Sequence, residues 1–299
     1  MAVFTGILLD ILEQGMIYGI MALGLFISYK ILNFPDLSVD GTFPLGAAVA
    51  AFLLVRGVNP WLALPAAFLL GSLAGLMTGL FHVLFKINEL FSGILTMTVM
   101  YSINLLIAGK SNQPFFDLET IFNTPPASRI PPLESGLNLR TVIVVFILIA
   151  LLKFLLDRFL RTKRGLLLRA AGDNTRVVTA MGINPGLMKI LGLALANGLV
   201  AVSGCVLAQQ QGFFEVTMGT GTMVMGLASV IMGMVLFAKV RFLQPTTKVI
   251  FGAVIYKALV ALAINLGAPA NMLNLVRGVL FLIILLAYQF KSKEAAEDA

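Results

Sequence analysis

The stretch from Arg158 to Lys189 reads RFLRTKRGLLLRAAGDNTRVVTAMGINPGLMK and interrupts an otherwise apolar chain. It holds seven of the 21 basic residues of the protein, namely Arg158, Arg161, Lys163, Arg164, Arg169, Arg176 and Lys189. Long apolar runs precede and follow it, at 139–157 and 187–211. A basic loop between apolar runs is typical of the cytoplasmic side of a membrane protein. The stretch therefore predicts membrane crossings on either side of a basic loop.

The composition of the whole chain supports the same class of protein. Its 299 residues are 59% hydrophobic and 12% charged, and the mean hydropathy is +0.97. A chain with so little polar surface cannot cover a soluble globule of this size, which indicates a polytopic membrane protein. The net charge of +7 could also suggest nucleic-acid binding. However, the basic residues fall mostly in short loops between apolar runs, and this favours membrane topology as their role.

Apolar runs along the chain are long enough to cross, or nearly cross, about 30 Å of hydrocarbon. They lie at 5–29, 61–85, 89–109, 139–157, 187–211, 222–238, 248–265 and 272–290. A shorter run at 43–56 follows the interruption from Pro35 to Pro44 and is interpreted as half of a broken helix. The first run follows a start that lacks a basic signal region, so we expect it to be retained. The sequence predicts one all-α membrane domain over residues 1–299, a helix bundle of about eight to ten segments that includes a broken helix, with a short helix on the cytoplasmic side.

Charge then predicts an orientation. With 158–189 in the cytoplasm, alternation also places Lys30, Lys86, the 239–248 loop and the 291–299 tail there. The 110–140 loop falls outside, and its basic residues are balanced by acidic ones. The positive-inside rule thus predicts an external N-terminus and a cytoplasmic C-terminus. Proline is dense in the external loop, which favours an extended cover over a helix. This cover is interpreted either as a contact for an external partner or as an inert lid.

Several kinds of chemistry find no support in the sequence. The chain has no Gly-x-x-x-x-Gly-Lys-Ser/Thr loop, so no nucleotide site of its own is predicted. His82 is the only histidine and has neither a second soft metal ligand nor an identifiable nucleophile beside it. Cys205 is the only cysteine and lies in an apolar run, which is typical of a packing residue. We therefore predict that the chain is not an enzyme and has no metal or cofactor.

The less charged half of the basic stretch predicts a short helix. Asp173 or Asn174 can cap its start, and Gly182 can end it. The small and apolar residues between them lie close together on the surface of such a helix. A short helix of this kind suits insertion into a groove on another protein. The alternative is an interfacial helix that rests on lipid headgroups.

Two segments carry a resemblance to a known family. The sequence RAAGDNTRVVTAMGINPGLMKILGLALANGLVAVSG resembles the coupling segment and following helix of ABC-importer permeases of the branched-chain amino acid class. The opening EQGMIYGIMALGLFISYKILNFPDLSVDGTFPLGAA is similar to the same family, notably at Gly15, Tyr18, Ala22 to Gly24 and Asn33-Phe34. The likeness extends from about residue 10 to 290. After Asn33-Phe34 the chain reads PDLSVDG, whereas the branched-chain pattern has a His-Gly pair there. This segment, together with SGILTMTVMYSINLLIAGKSN at 92–112, resembles the tryptophan/tyrosine-type permeases more closely.

The resemblance implies a permease subunit that imports a small organic solute, such as an amino acid or a relative. It also implies ATPase subunits on separate chains, an extracytoplasmic substrate-binding protein, a second copy of the permease and the plasma membrane of a prokaryote. The segment expected to fit the ATPase contains Arg169, Gly172, Asp173, Asn174, Val177, Ala180, Gly182, Ile183 and Asn184. The runner-up function is a secondary transporter or channel without an ATPase. Against it stands the shortage of ionisable residues deep in the membrane.

Polar residues within the apolar runs are candidates for the pore or for a subunit contact. They are Asn33, Asp36, Asp40, Thr98, Ser102, Asn104 and Lys257. Asp36 and Asp40 lie where the backbone is irregular, but they could equally be charges at the cytoplasmic interface. Thr98 and Ser102 share a helix face, where hydrogen bonds between helices are the commoner role. Lys257 lies roughly 13 Å into its run, and snorkelling to the interface is the alternative for it.

Overall fold

The computed structural model describes residues 2–129, 139–240, 242–265, 272 and 275–286. Helices account for most of these residues. They are α1 (Ala2–Leu25, extended by a π-helical turn, Phe26–Ile31), α2 (Val39–Val55), α3 (Pro60–Val83), α4 (Glu89–Ala108), α5 (Leu139–Leu160), α6 (Lys163–Asp173), α7 (Thr175–Ala180), α8 (Pro185–Gln211), α9 (Thr222–Leu236), α10 (Pro245–Asn265) and α11 (Leu275–Leu286). Two short strands, β1 (Asn112–Pro114) and β2 (Phe213–Glu215), pair antiparallel.

Within the described ranges, six helices are long and apolar enough to cross a membrane. They are α1 with its extension, α3, α4, α5, α8 and α10. Three shorter apolar helices, α2, α9 and α11, accompany them. Each of the apolar runs in the sequence corresponds to one of these helices. The prediction of an all-α membrane bundle is therefore confirmed. The shorter helix is also present, but it starts at Val39, within the predicted Pro35–Pro44 interruption, and contains Pro44.

The long helix α8 lies at the centre of the bundle. In its most apolar window 78% of the residues are buried, against 28% for α4, α5 and α10. Three helices, α1, α2 and α3, pack around it. Glycine permits the closest approach, because a Cβ atom at Gly75 of α3 would overlap the carbonyl oxygen of Leu193 on α8. Close backbone packing of this kind stabilises helix pairs in lipid, where the hydrophobic effect offers little between helices.

The helix directions sort the bundle into two ends. Gly24 lies against Ala196, and Ile17 accepts a hydrogen bond from Ser203. These two contacts show that α1 runs antiparallel to α8. The end of α1 therefore meets the start of α8, beside α6 and α7, at what we call the coupling end. The starts of α1, α3 and α5 and the ends of α4, α8 and α10 lie at the opposite, distal end.

This arrangement groups the charges as the sequence predicted. Lys30, Lys86 and the 158–189 segment lie at the coupling end, whereas Lys110 and Arg140 lie at the distal end. The start of α10 also belongs to the coupling end, because Thr246 donates to Asp157 near the end of α5 over 2.7 Å. Arg241 and the predicted 291–299 tail lie outside the described residues.

The distal end carries a packed cover. The 110–140 loop contributes β1, which pairs with β2 after α8. The residues beyond β1 bury Phe115, Ile121 and Phe122, and the backbone N–H of Ile121 donates to Gln209 of α8 over 3.0 Å. Apart from β1, the described part of this loop is not extended as predicted, because it consists of turns and a short 3-10 helix, Ala127–Arg129. Residues 130–138 lie outside the described part.

The basic stretch contains more helix than the sequence predicted. We expected a loop with one short helix, but α6 and α7 are separate helices joined at Asn174. Thr162 caps α6 by accepting a hydrogen bond from the N–H of Gly165 over 3.3 Å. Asp173 is the last residue of α6, so Asn174 alone caps α7. Of the two caps considered from the sequence, Asp173 and Asn174, the structure therefore has Asn174.

Candidate functional site

A buried polar junction connects the α1–α2 turn to the middle of α8. One carboxylate oxygen of Asp36 accepts hydrogen bonds from the N–H of Ser38 over 2.9 Å and from its hydroxyl over 2.5 Å. The other oxygen accepts from the side-chain amide of Asn197 over 2.7 Å. All three residues are fully buried. Such a complete set of donors is what allows a carboxylate to lie in an apolar interior.

The junction corrects the interpretation of Asp36. A fully buried side chain neither lines an open pore nor lies at a solvated interface. Both roles considered for Asp36 from the sequence are therefore wrong, because its oxygens are engaged in holding the chain turn against α8.

Asp40 performs a second joining role, between the two shorter helices α2 and α9. One of its oxygens accepts from the N–H of Gly221 over 3.0 Å. The other accepts from the hydroxyl of Thr222 over 2.9 Å and from the N–H of Met223 over 2.7 Å. A carboxylate at this position satisfies free N–H groups at the start of α9 and faces the positive end of its dipole. Gly221 provides the left-handed backbone, with φ +78°, that begins the helix.

Sequence reasoning missed this contact, although a signal was present. The helix α9 starts after a glycine, which has no side chain to cap it. A buried helix start needs an acceptor from elsewhere. Asp40, near the start of the short helix α2, supplies this acceptor.

A groove of about 310 Å³ opens beside Asp40, between α2, α4 and the 216–221 turn. Thr98, Ser102 and Asn104 of α4 line it together with Tyr101 and Asp40. The side-chain amide of Asn104 donates to the carbonyl oxygen of Gly41 over 3.0 Å, and its own oxygen has no hydrogen-bond partner. The structure therefore brings four of the predicted pore residues to one groove, including Asp40.

Thr96 and Thr98 lie on different faces of α4. Thr96 is fully buried and accepts a hydrogen bond from Thr78 of α3 over 2.9 Å. It therefore provides the hydrogen bond between helices that is the common use of such residues in membranes. Thr98 lies on the exposed side, and its hydroxyl donates a hydrogen bond to the carbonyl oxygen of Ile94.

Lys257 lies apart from the groove, on α10 against α1. Its ammonium donates to the side-chain oxygen of Gln14 over 3.1 Å and lies 3.9 Å from the centre of the Tyr18 ring. An attraction between cation and ring stabilises a charge in such surroundings. Lys257 and the four groove residues therefore belong to two separate sites.

The coupling segment presents an apolar edge to solvent. Asn174 caps α7 by accepting from the N–H of Arg176 over 3.0 Å, and Gly182, with φ +75°, follows its end. Val177 and Met181 are four positions apart and are 43% and 61% exposed. Val178 instead is fully buried and anchors α7 to the bundle.

Asn33 lies at this coupling segment. Its side-chain amide donates to the carbonyl oxygen of Gly172 over 3.1 Å. A Cβ atom at Gly172 would overlap the carbonyl oxygen of Ile31, so the two backbones touch. Asn33 also has φ +54°, a conformation that asparagine tolerates better than most residues. Asn33 therefore fastens the end of α1 to α6, and its role as a pore or subunit contact stays a prediction.

The lone histidine lies near the same end. His82 Nδ1 lies 2.9 Å from the carbonyl oxygen of Ile87, and Lys189 donates both to His82 Nε2 over 3.1 Å and to Glu89 over 3.0 Å. This cluster ties the end of α3 to the starts of α4 and α8. The contacts agree with a packing role.

Comparison with known proteins gives this architecture a family. The family described as "Branched-chain amino acid transport system / permease component" matches residues 7–285. The chain is 42% identical over 278 residues to a tyrosine transport system permease protein of Clostridioides difficile, covering 93% of this chain and 90% of that one. It is 28% identical to a probable branched-chain amino acid transport permease, LivH, of Methanocaldococcus jannaschii, covering 72% and 70%.

A solved structure supports the fold alone. The structure titled "PsaBC from Streptococcus pneumoniae in complex with Fab" matches with a TM-score of 0.50 at 12% identity, covering 94% of this chain and 90% of that one. The family match and the identity to the tyrosine permease confirm the resemblance seen in the sequence. The chain belongs to the branched-chain amino acid transport permease family, as the membrane component of an ABC importer for small solutes.

Proposed function

We propose that this permease imports an amino acid or a close relative, driven by ATPase subunits that dock on α7. The name of the C. difficile relative favours an aromatic amino acid as the solute. The single observation that carries the docking site is the exposed edge of α7, which is tied to the end of α1 through Asn33 and Gly172.

The chemistry of this edge suits a protein cleft better than a lipid surface. Val177 and Met181 are exposed, but α7 has only six residues and carries one basic residue, Arg176. An interfacial helix has a strongly amphipathic surface, with a polar face rich in Lys and Arg. A short capped helix with two apolar anchors fits a groove instead.

Force applied to α7 has a direct path into the membrane. The carbonyl oxygen of Gly172 is bonded to Asn33, and Asp36 and Ser38 are only a few residues further along the same chain turn. Asp36 is bonded to the middle of α8. Displacement of the coupling segment would therefore move the α1–α2 turn against α8 through short hydrogen bonds rather than through a flexible loop.

We assign the groove beside Asp40 as the solute-binding site. A zwitterionic amino acid carries an ammonium group that hydrogen-bond acceptors can bind. The unpartnered oxygen of Asn104 and the carboxylate of Asp40 supply acceptors, and Tyr101 supplies an aromatic surface. Irregular backbone and helix ends that line a cavity are the usual setting for solute contacts in transporters.

The remaining partners follow from the two ends of the bundle. The coupling end would face the cytoplasm and its ATPase, which gives an external N-terminus in the plasma membrane of a prokaryote. The packed cover at the distal end would receive an extracytoplasmic substrate-binding protein. A second copy of the chain would complete the pore.

The test is to express the chain with its genomic neighbours, purify it and measure both ATPase capture and solute uptake. Val177→Arg with Met181→Arg should abolish capture and uptake, because two charges would enter the proposed contact. Thr179→Arg is the matched control, since Thr179 is exposed on α7 roughly 200° around the helix from Val177. It should retain most of both activities.

Each outcome decides between importer and secondary transporter. Loss of capture in the double variant, with a normal elution profile of the membrane bundle, supports docking at α7. Gradient-driven uptake by the chain alone, with no ATPase captured by the wild type, would sink the importer mechanism. Equal capture of the ATPase by the double variant and by Thr179→Arg would show that the ATPase does not dock at this edge.

A further inference from the structure

The cluster of His82, Glu89 and Lys189 joins three helices at the coupling end. The end of α3 and the starts of α4 and α8 each supply one of these side chains. His82 and Lys189 are each 20% exposed and Glu89 is 30% exposed, so water reaches all three groups. An imidazole group ordinarily changes its charge between pH 5 and 8. The charge of His82 therefore decides what this cluster can hold together.

The neighbours of the imidazole ring specify where its proton lies. Nδ1 lies 2.9 Å from the carbonyl oxygen of Ile87, which can only accept, so Nδ1 carries a proton. Nε2 lies 3.1 Å from the ammonium of Lys189, which can only donate, so Nε2 carries none. The ring of Phe34 meets the imidazole edge-on, with the ring centres 5.2 Å apart. The contacts in the structure are therefore those of a neutral His82.

A second proton on the ring is incompatible with these contacts. It would place the N–H of a charged ring 3.1 Å from the ammonium of Lys189, where two donors and two positive charges repel each other. Glu89 offers the alternative, because its Oε1 atom lies 3.8 Å from His82 Nε2 and 3.0 Å from Lys189 Nζ. A charged His82 would therefore compete with Lys189 for this carboxylate.

The other charged groups around the ring leave this competition in place. Lys86, in the turn between α3 and α4, is exposed to solvent. Asp36 and Asp40, from the turn before α2 and from α2 itself, are bonded to Asn197 and to the start of α9. Among the described residues, Glu89 is the only carboxylate within 4.0 Å of the ring nitrogens.

We propose that this cluster is a proton-sensitive clamp on the start of α8. While His82 is neutral, Lys189 donates to both His82 and Glu89 and so fastens α8 to α3 and α4. When His82 takes up a second proton from water, its Nε2–H donates to Glu89, and Lys189 loses both partners. The new ion pair joins only α3 and α4, so the start of α8 loses these contacts with both helices.

The position of the clamp gives it a consequence for transport. The helix α8 begins at Pro185, shortly after Gly182 at the end of α7. If the ATPase docks on α7, as proposed above, acidification at the coupling end should lower ATP-driven uptake. This consequence rests on the proposed function, whereas the exchange of partners does not and is tested on the chain alone.

Nuclear magnetic resonance of the purified full-length chain tests the exchange, because His82 is the only histidine in the sequence. The histidine is isotope-labelled, and the purification tag contains none. At about pH 8 the ring should carry one proton, on Nδ1, and at about pH 5.5 it should carry two. In Lys189→Met the second proton should bind at higher pH than in the wild type, because the repelling ammonium is gone. A ring protonated only on Nε2 at the higher pH, or still neutral at the lower one, would overturn the proposal.

Amide hydrogen exchange of the same protein, corrected for the intrinsic effect of pH, measures the release of α8. Acidification from about pH 8 to about pH 5.5 should raise exchange in the first turns of α8 several-fold. His82→Gln should abolish this response, because a glutamine amide has a donor and an acceptor but takes up no proton. Lys189→Met should exchange fast at both pH values.

A matched control separates the clamp from a general effect of losing a lysine. Lys153, near the end of α5, also donates to a carboxylate, Asp157, over 2.7 Å, but its second partner is the amide of Gln244 instead of an imidazole. Lys153→Met should leave the response of α8 unchanged. If His82→Gln does not fold, Glu89→Gln should instead shift binding of the second proton to lower pH. A wild type without the response, or the same response in His82→Gln, would contradict the clamp.

Discussion

The cap of α7 and the buried junction both use Asn and Asp side chains, but they act over different distances in the chain. At the coupling segment, Asn174 bonds the N–H of Arg176, two positions away. At the junction, Asn197 donates to Asp36 across 161 positions, and at the start of α9 the N–H of Met223 donates to Asp40 across 183. Local contacts can be disturbed with local consequences, whereas the long-range contacts connect helices that are far apart in the sequence.

Replacing an aspartate by alanine should change the stability far more at the junction than in the coupling segment. Asp36→Ala would leave the N–H of Ser38 without an acceptor in a fully buried site, and the side-chain amide of Asn197 would keep only the carbonyl oxygen of Leu193, over 3.2 Å. We expect a loss of about 2–4 kcal/mol in stability. Asp173→Ala removes an exposed carboxylate at the end of α6 and should change stability by less than about 0.5 kcal/mol. Thermal unfolding followed by size-exclusion chromatography measures both. Similar midpoints for the two variants would contradict the comparison.

Asp40→Ala should come next. It removes three hydrogen bonds at the start of α9, and loss of a helix cap costs about 1–2 kcal/mol. Because Asp40 also lines the groove, uptake should fall further than stability does. Asp40→Asn keeps an oxygen for one N–H group and should retain more of the stability. Normal uptake in both variants would show that Asp40 holds α9 but has no part in the solute path.

The sequence reveals the features that depend on spacing and local chemistry. The apolar runs identified the membrane helices, and the pair Asn174 and Gly182 identified α7, because caps act within a few residues of their helix. The sequence did not reveal that Asn33 belongs to the coupling segment. Its partner, Gly172, is 139 positions away, and no pattern around Asn33 specifies a carbonyl oxygen on α6.

The same limit applies to the carboxylates of the interrupted helix. Two acidic residues four positions apart look alike in sequence, yet Asp36 is sealed in the bundle and Asp40 lines a groove. Only the packing of α8 and α9 around them distinguishes the two. Thr98 and Ser102 could be assigned to one face of α4 from their spacing, because both belong to one helix.

Asn33 joins the two regions, so its removal tests whether they communicate. Asn33→Gly keeps the positive φ of +54° available and deletes only the hydrogen bond to Gly172. Stability should fall by about 1 kcal/mol, with ATPase capture unchanged. Solute taken up per ATP hydrolysed should fall several-fold, because α7 would move without moving α1. An unchanged ratio would remove Asn33 from the coupling path.

Asn174→Ala should have the smallest effect on the fold and a selective effect on docking. The side chain of Asn174 is exposed and caps α7 within its own segment, so the thermal midpoint should stay within about 1 °C of wild type. Loss of the cap costs the six-residue helix about 1 kcal/mol, which corresponds to about a fivefold weaker affinity for the ATPase if α7 binds as a helix. Asn174→Asp keeps a capping oxygen and should restore the affinity. If Asn174→Ala and Asn174→Asp bind the ATPase equally well, α7 does not need its helical form in the complex, and the exposed edge formed by Val177 and Met181 cannot be the docking surface.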